Sequence, residues 1–247
     1  MTLSMIDVTV EYKLKGQSVK ALDNVSLNIE AGEFLAVVGP SGSGKSTLLQ
    51  VFGGMLSPAQ GDTFINGTSL YDLSADERAE LRRLCLGFVF QTFNLIPYLT
   101  AQQNVQVPMM LNNDPLAAQM DRSAMLLEKV GLADRMLHKP AELSSGQQQR
   151  VALARTLAND PHIIFADEPT GALDPETGMQ VMNFLKDLNR EGRTIVMVTH
   201  DPKAAAMASR CIRLVDGSIA PLAQIPAQSP GSFAVTDRMH APEVPAL

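Results

Sequence analysis

The sequence predicts an α/β fold: a parallel sheet covered by helices on both faces, a small antiparallel β layer ahead of it, and a mainly helical insertion within it. Three observations predict it. Short segments rich in apolar and β-branched residues recur at Phe34–Val38, Leu86–Phe90, His162–Ala166 and Thr194–Thr199, as strands buried on both faces do. Helical spacings lie between them. From Phe93 to Asp160 helical character dominates, punctuated by Pro97, Pro108, Pro115, Gly131 and Pro140.

Each element has its own warrant. Residues 3–10 and 25–30 alternate apolar and polar positions, as half-buried strands do. Thr63-Phe64-Ile65 runs into Asn66-Gly67, a strand entering a tight turn. Ser74 followed three residues later by Glu77 is a capping box and starts a helix. Helices are expected over 116–130, 146–158 and 175–190. Ala220–Leu247 carries five of the fifteen prolines without periodicity and is expected to be a loose tail after a domain spanning residues 1–219.

The decisive segment is Gly39-Pro40-Ser41-Gly42-Ser43-Gly44-Lys45-Ser46-Thr47, which fits G-x-x-x-x-G-K-[ST] at every fixed position. A strand precedes it, and Leu48, Leu49, Phe52 and Leu56 follow at helical spacing. Glycines let the backbone close around phosphate oxygens, and the amides at a helix start supply positive field. Lys45 adds a point charge for the β- and γ-phosphates, and the Ser46 hydroxyl can hold Mg²⁺. A glycine-rich turn with a chance lysine explains less, because strand, loop and helix stand in order.

Composition narrows the class. With 45% hydrophobic and 19% charged residues, the 247-residue chain can build a sizeable core. A net charge of −6 argues against a general nucleic-acid binder. Cys85 and Cys211 are expected to be reduced, buried thiols, with a structural disulfide as the lesser alternative, and no Cys/His cluster has metal-ligand spacing. No apolar run approaches the roughly 20 residues that span a bilayer, so another chain must supply any span.

Two further segments carry chemistry. Ile163–Ala166 ends in Asp167-Glu168, two carboxylates at the edge of a strand where open α/β sheets bind ligands. Asp167 suits Mg²⁺, and Glu168 suits orienting or deprotonating an attacking water. Taken alone, the pair could simply begin a loop at Pro169. Leu143-Ser144-Ser145-Gly146-Gln147 opens a helix with small residues and free amides, a second anion site or an ordinary serine cap. One phosphate loop needs no second anion site in its own chain, but two copies facing each other would.

With these motifs in hand, the chain resembles the ATPase subunits of ABC transporters over residues 3–219. Leu143–Gln147 is similar to their L-S-G-G-Q signature, Gln91 to the Q-loop glutamine, Leu173-Asp174 to the D-loop, His200 to the switch histidine, and Tyr12 to the aromatic that stacks on adenine. The resemblance implies a P-loop NTPase core with a helical subdomain near 93–160. It implies ATP and Mg²⁺ as cofactors, with Ser46, Gln91 and Asp167 at the metal and Glu168, His200 and Gln91 in catalysis. It also implies a head-to-tail homodimer in which Ser144, Ser145, Gly146, Gln147 and Asp174 face the other copy's nucleotide. The partner is then a transmembrane permease, met at the cytoplasmic face of the inner membrane.

Two departures stand out. Ser145 replaces the usual signature glycine and costs about 1 kcal/mol if that position needs positive φ. Phe93–Thr100 with Asn104-Val105 resembles the macrolide-exporter and lipoprotein-release group, with Gln103 where that group has glutamate. An importer ATPase or a soluble ABC ATPase are the competing classes. Two-ATPase translation factors and coiled-coil repair ATPases fit poorly with a single phosphate loop and with the 95 residues between Thr47 and Leu143. A GTPase would need an Asn-Lys-x-Asp motif, which is missing.

Overall fold

A computed structural model describes residues 1–14 and 17–220. The tail expected from residue 220 onward therefore lies, but for Ala220, outside the described residues. β1 (Leu3–Leu14) and β2 (Gln17–Ile29) form an antiparallel hairpin, and β3 (Phe34–Val38) hands the chain to α1 (Lys45–Phe52). β4 (Gln60–Ile65) returns to β1, and β5 (Thr68–Ser69) folds back on β4 through Asn66 and Gly67, both at positive φ (49° and 78°). That is the backbone an Asn-Gly hairpin turn demands. Then follow α2 (Ala75–Cys85), β6 (Leu86–Val89), α3 (Ala101–Leu111), α4 (Leu116–Lys129), α5 (Ser145–Thr156), β7 (Ile163–Asp167), α6 (Pro175–Arg190), β8 (Thr194–Val198), α7 (Pro202–Ala205), β9 (Arg210–Val215) and β10 (Ser218–Ile219).

Two sheets result, ordered β2-β1-β4-β5 and β10-β9-β3-β8-β7-β6. In the second, β6, β7, β8, β3 and β9 run parallel, so their C-terminal ends share one edge. Alternate residues of the central strands feed two cores, as the period of two requires. Phe34, Ala36, Ile164, Ala166, Ile195 and Met197 pack toward the helical side. Leu35, Val37, Phe165, Val196 and Val198 pack toward α1 and the antiparallel layer. Phe165 stacks on both Phe52 and Phe88, with ring centroids 6.3 and 5.4 Å apart.

Three expectations change. The antiparallel strands are longer than 3–10 and 25–30, because β1 and β2 stay paired as far as Leu14 and Gln17. Pro108 interrupts nothing: α3 runs through it, since Val105 and Met109 are buried against α4 and α5 and that packing outweighs the missing N–H. Cys85 and Cys211 are free but only half-buried, and burial still pushes both thiols above their ordinary pKa. Among the described residues, no helix is long and apolar enough to cross a membrane.

Candidate functional site

The phosphate loop joins β3 to α1 and is built for close backbone approach. Gly39, Gly42 and Gly44 take φ of 158°, 79° and 100°. A Cβ on Gly44 would lie 2.1 Å from the Ala21 carbonyl oxygen of β2, so only glycine fits beneath that strand. α1 starts without a side-chain cap and without an acidic residue in its first turn, which leaves its amides for an anion. Lys45 is buried and donates from Nζ to the Gly39 and Pro40 carbonyls at 3.0 and 2.8 Å, folding over the loop it serves. The buried Ser43 Oγ has no hydrogen-bond partner. Uncapped amides, a folded-in cation and an orphaned hydroxyl together fit a polyphosphate.

The other predicted groups emerge along the same sheet edge. Asp167 ends β7 level with Val198 of β8, which is level with Val37 of β3, so the carboxylate sits two strands, about 10 Å, from the end of β3. Glu168 follows at φ 49°, a left-handed conformation that is uncommon for glutamate. Its N–H donates to the Val198 carbonyl at 2.9 Å, and its own carbonyl accepts from Gly171 N at 3.0 Å. His200, just past β8, approaches Glu168 Oε2 through Nδ1 at 2.5 Å. His200 is 69% exposed and Glu168 18%, so the carboxylate is the better shielded member of the pair. Gln91, past β6, lies against Gly171, where a Cβ would come within 2.9 Å of its Nε2. Tyr12 is half-exposed on β1 and pairs with Val19, two residues along β2 from the Ala21 that covers Gly44.

Ser144, Ser145, Gly146 and Gln147 do not join this cluster within the chain. They open α5, which packs on α3, α4, α6 and β6. Ser144 caps α5 by accepting from Gln147 N at 3.3 Å, while Gln147 Oε1 accepts from Ser144 N at 3.0 Å. Gly146 is buried against Thr177, and a Cβ there would come within 2.4 Å of Thr177 Cγ2. Ser145 is exposed in the first turn and is not among the residues at positive φ. The strain that a serine would suffer there does not arise. Asp174 caps α6, accepting from Glu176 N and Thr177 N at 3.1 and 3.0 Å, and the Thr177 amide holds its carboxyl below the usual range.

A groove of about 500 Å³ lies at the end of β6, between α2 and β6 on one side and α3 and α5 on the other. Phe88, Phe90, Leu111, Arg83, Asn94 and Arg155 line it. Asn94 belongs to the Phe93–Thr100 segment, which is held by Asn104: the buried amide donates to the Ile96, Leu99 and Thr100 carbonyls and accepts from Ile96 N. Gln103 completes a capping box with Thr100, so glutamine serves here as glutamate would.

The family model described as ABC transporter matches residues 22–171. An uncharacterised ABC transporter ATP-binding protein of Methanocaldococcus jannaschii is 49% identical over 218 residues, 87% of this chain and 97% of that protein.

The chain belongs to the ABC transporter family.

A macrolide export ATP-binding/permease protein of Hyphomonas neptunium is 47% identical over 217 residues, but the chain spans only 34% of its length. Among solved structures, the ATP-binding cassette MJ0796 of Methanocaldococcus jannaschii, in a dimeric post-hydrolysis state with ADP and Pi, superposes with a TM-score of 0.84. It is 45% identical and matches 89% of this chain and 97% of its own. The chain thus shares the fold of ABC cassettes, and the parallel sheet with its antiparallel layer and helices is that fold.

Two side chains at the site gave no sign in the motifs. Arg155, on α5, donates to the Phe93 and Asn94 carbonyls at 2.8 and 2.6 Å, where two consecutive residues take positive φ. Gln149 is fully buried among the apolar side chains of α5. An amide on the core-facing stripe of a helix was the available signal for the second.

Proposed function

We propose that this chain is the ATP-hydrolysing subunit of an ABC transporter, and that two copies close head to tail on ATP to drive a membrane permease. The observation that carries it is the shared sheet edge at which Lys45, Asp167, Glu168, His200 and Gln91 emerge. On this reading the phosphate loop and Lys45 hold the β- and γ-phosphates, and Tyr12 offers a face to adenine. Ser46, Asp167 and Gln91 would hold Mg²⁺, a hydroxyl, a carboxylate and an amide being oxygen donors of the hard kind this ion takes along with phosphate oxygens. When bound, the ion neutralises charge on the phosphates. Glu168 accepts the proton of the attacking water, and His200 leaves Glu168 to reach the γ-phosphate. In the second copy, Ser144 to Gln147 and Asp174 approach the same ATP from the far side. Closure then follows from the extra contacts that only the ATP-bound pair makes.

Residues 1–219 form the ATPase domain on this reading, and 93–160 its helical subdomain. The groove lined by Phe90 and Asn94 receives the permease, which puts the chain on the cytoplasmic face of the inner membrane. Similarity to a macrolide export protein that carries both ATP-binding and permease parts supports an exporter. The test is Glu168→Gln. We expect turnover to fall on the order of 10³-fold, with ATP binding retained and an ATP-dependent dimer resolved by size exclusion. Hydrolysis at the unsubstituted rate would remove Glu168 from the mechanism. Tagged Glu168→Gln protein should also retrieve a permease with few spans from solubilised membranes; a many-span importer permease would overturn the exporter assignment.

A further inference from the structure

Glu168 is held in a left-handed backbone conformation, and the next residue, Pro169, is buried. The turn is pinned on its β8 side by Glu168 N donating to Val198 O, and across itself by Gly171 N donating to Glu168 O. A third tie comes from elsewhere in the fold. Gln149 is fully buried on α5, and its Nε2 donates to the Pro169 carbonyl at 2.6 Å. The other end of the same amide, Oε1, is buried with no partner. A fully buried glutamine with half its amide unsatisfied is a costly choice for a helix whose neighbouring positions Val151, Ala152, Leu153 and Ala154 are apolar. Packing alone would favour methionine or leucine of similar volume.

Gln149 also lies about one helical turn from the start of α5. Gly146, on the same side of the helix, is pressed against Thr177 of α6, so α5 cannot shift there without moving its neighbour. We propose that Gln149 is a positioning residue that ties the signature end of α5 to the backbone beside Glu168. Seating that end on a second copy's nucleotide is thereby felt at the chain's own Glu168. This rests on the assignment of Glu168 as base and of Ser144–Gln147 as the surface that meets the other copy. The two nucleotide sites of a dimer then communicate through one buried side chain in each copy.

Gln149→Met and Gln149→Leu keep the volume and remove the donor, and Glu168→Gln is measured beside them in the full chain. The readouts are kcat, the Hill coefficient for ATP, ATP affinity by titration, and the thermal midpoint. We expect kcat to fall at least about tenfold, since misplacement by an ångström costs up to about 100-fold. The Hill coefficient should drop toward about 1, while ATP affinity stays as in the unsubstituted chain and the midpoint holds or rises, the unsatisfied amide oxygen being gone. Unchanged kcat and cooperativity overturn the proposal. So does a parallel loss of kcat, affinity and midpoint, which a merely structural glutamine would give. If Glu168→Gln is inactive while both Gln149 variants keep full kcat, the positioning role alone fails. If Glu168→Gln hydrolyses normally, the base assignment fails and the inference with it.

Discussion

Two helix starts in this chain carry glycine- and serine-rich sequences, and they are built in opposite ways. α1 begins at Gly44 with no side-chain cap, with three glycines in the preceding loop at φ that L-residues rarely take, and with Lys45 folded over the loop. α5 begins at Ser144 with a complete capping box and no residue of its first turn at positive φ. The first leaves its orphan amides for a ligand that wraps inside it. The second has satisfied its own cap and presents an exposed edge, which suits touching a ligand held by another molecule. On the proposed reading the contrast fits the place of Lys45 beside one loop only: a loop that holds charge needs a countercharge, and one that meets charge held elsewhere does not.

Glycine substitutions should separate the two most sharply. Gly44→Ala places a Cβ 2.1 Å from a backbone oxygen of β2, at φ 100°. Neither the strand nor the loop can yield cheaply, so we expect a loss of about 3 kcal/mol in urea denaturation. Gly146→Ala meets a side chain instead, Thr177 Cγ2 at 2.4 Å. A methyl can rotate away, and the expected cost is about 1–2 kcal/mol. Thr177→Ser removes that methyl and should return about half of it in a double-mutant cycle. Equal costs at the two glycines, or no rescue by Thr177→Ser, would erase the distinction between a backbone cradle and a packed helix face.

The phosphate loop, the Asp167-Glu168 strand end, the capping box at Ser74 and the helix start at Ser144 were legible because each is a local pattern. Their geometry follows from neighbours a few residues away. What was not legible depends on distant packing. The hairpin β1–β2 hid about half its length, because residues 11–13 and 18–20 are exposed at successive positions and so show no apolar alternation, although they pair in regular register. Pro108 read as a break, since only the burial of α3 against α4 and α5 shows why it is tolerated. Gln149 and Arg155 stood in plain view on α5, but their partners Pro169, Phe93 and Asn94 are 20, 62 and 61 residues away. Nothing in the spacing announces such contacts.

The smallest expected effect is the most diagnostic for the signature. Family resemblance raised the cost of a serine at a position that usually holds glycine, and that cost exists only if the backbone there has positive φ. Ser145 instead occupies the first turn of a right-handed helix. Glycine in a helix is less favourable than other residues because it loses more backbone freedom on folding. Ser145→Gly should therefore lower stability by about 0.5 kcal/mol, and the sign is what matters. A gain of about 1 kcal/mol in thermal or urea unfolding would mean that the serine is strained and that α5 starts otherwise than described. A small loss would mean that the exposed serine carries no conformational cost, leaving its contribution to the proposed contact with a second copy to be read from the ATP-dependent dimer expected of the Glu168→Gln background, with and without the added substitution.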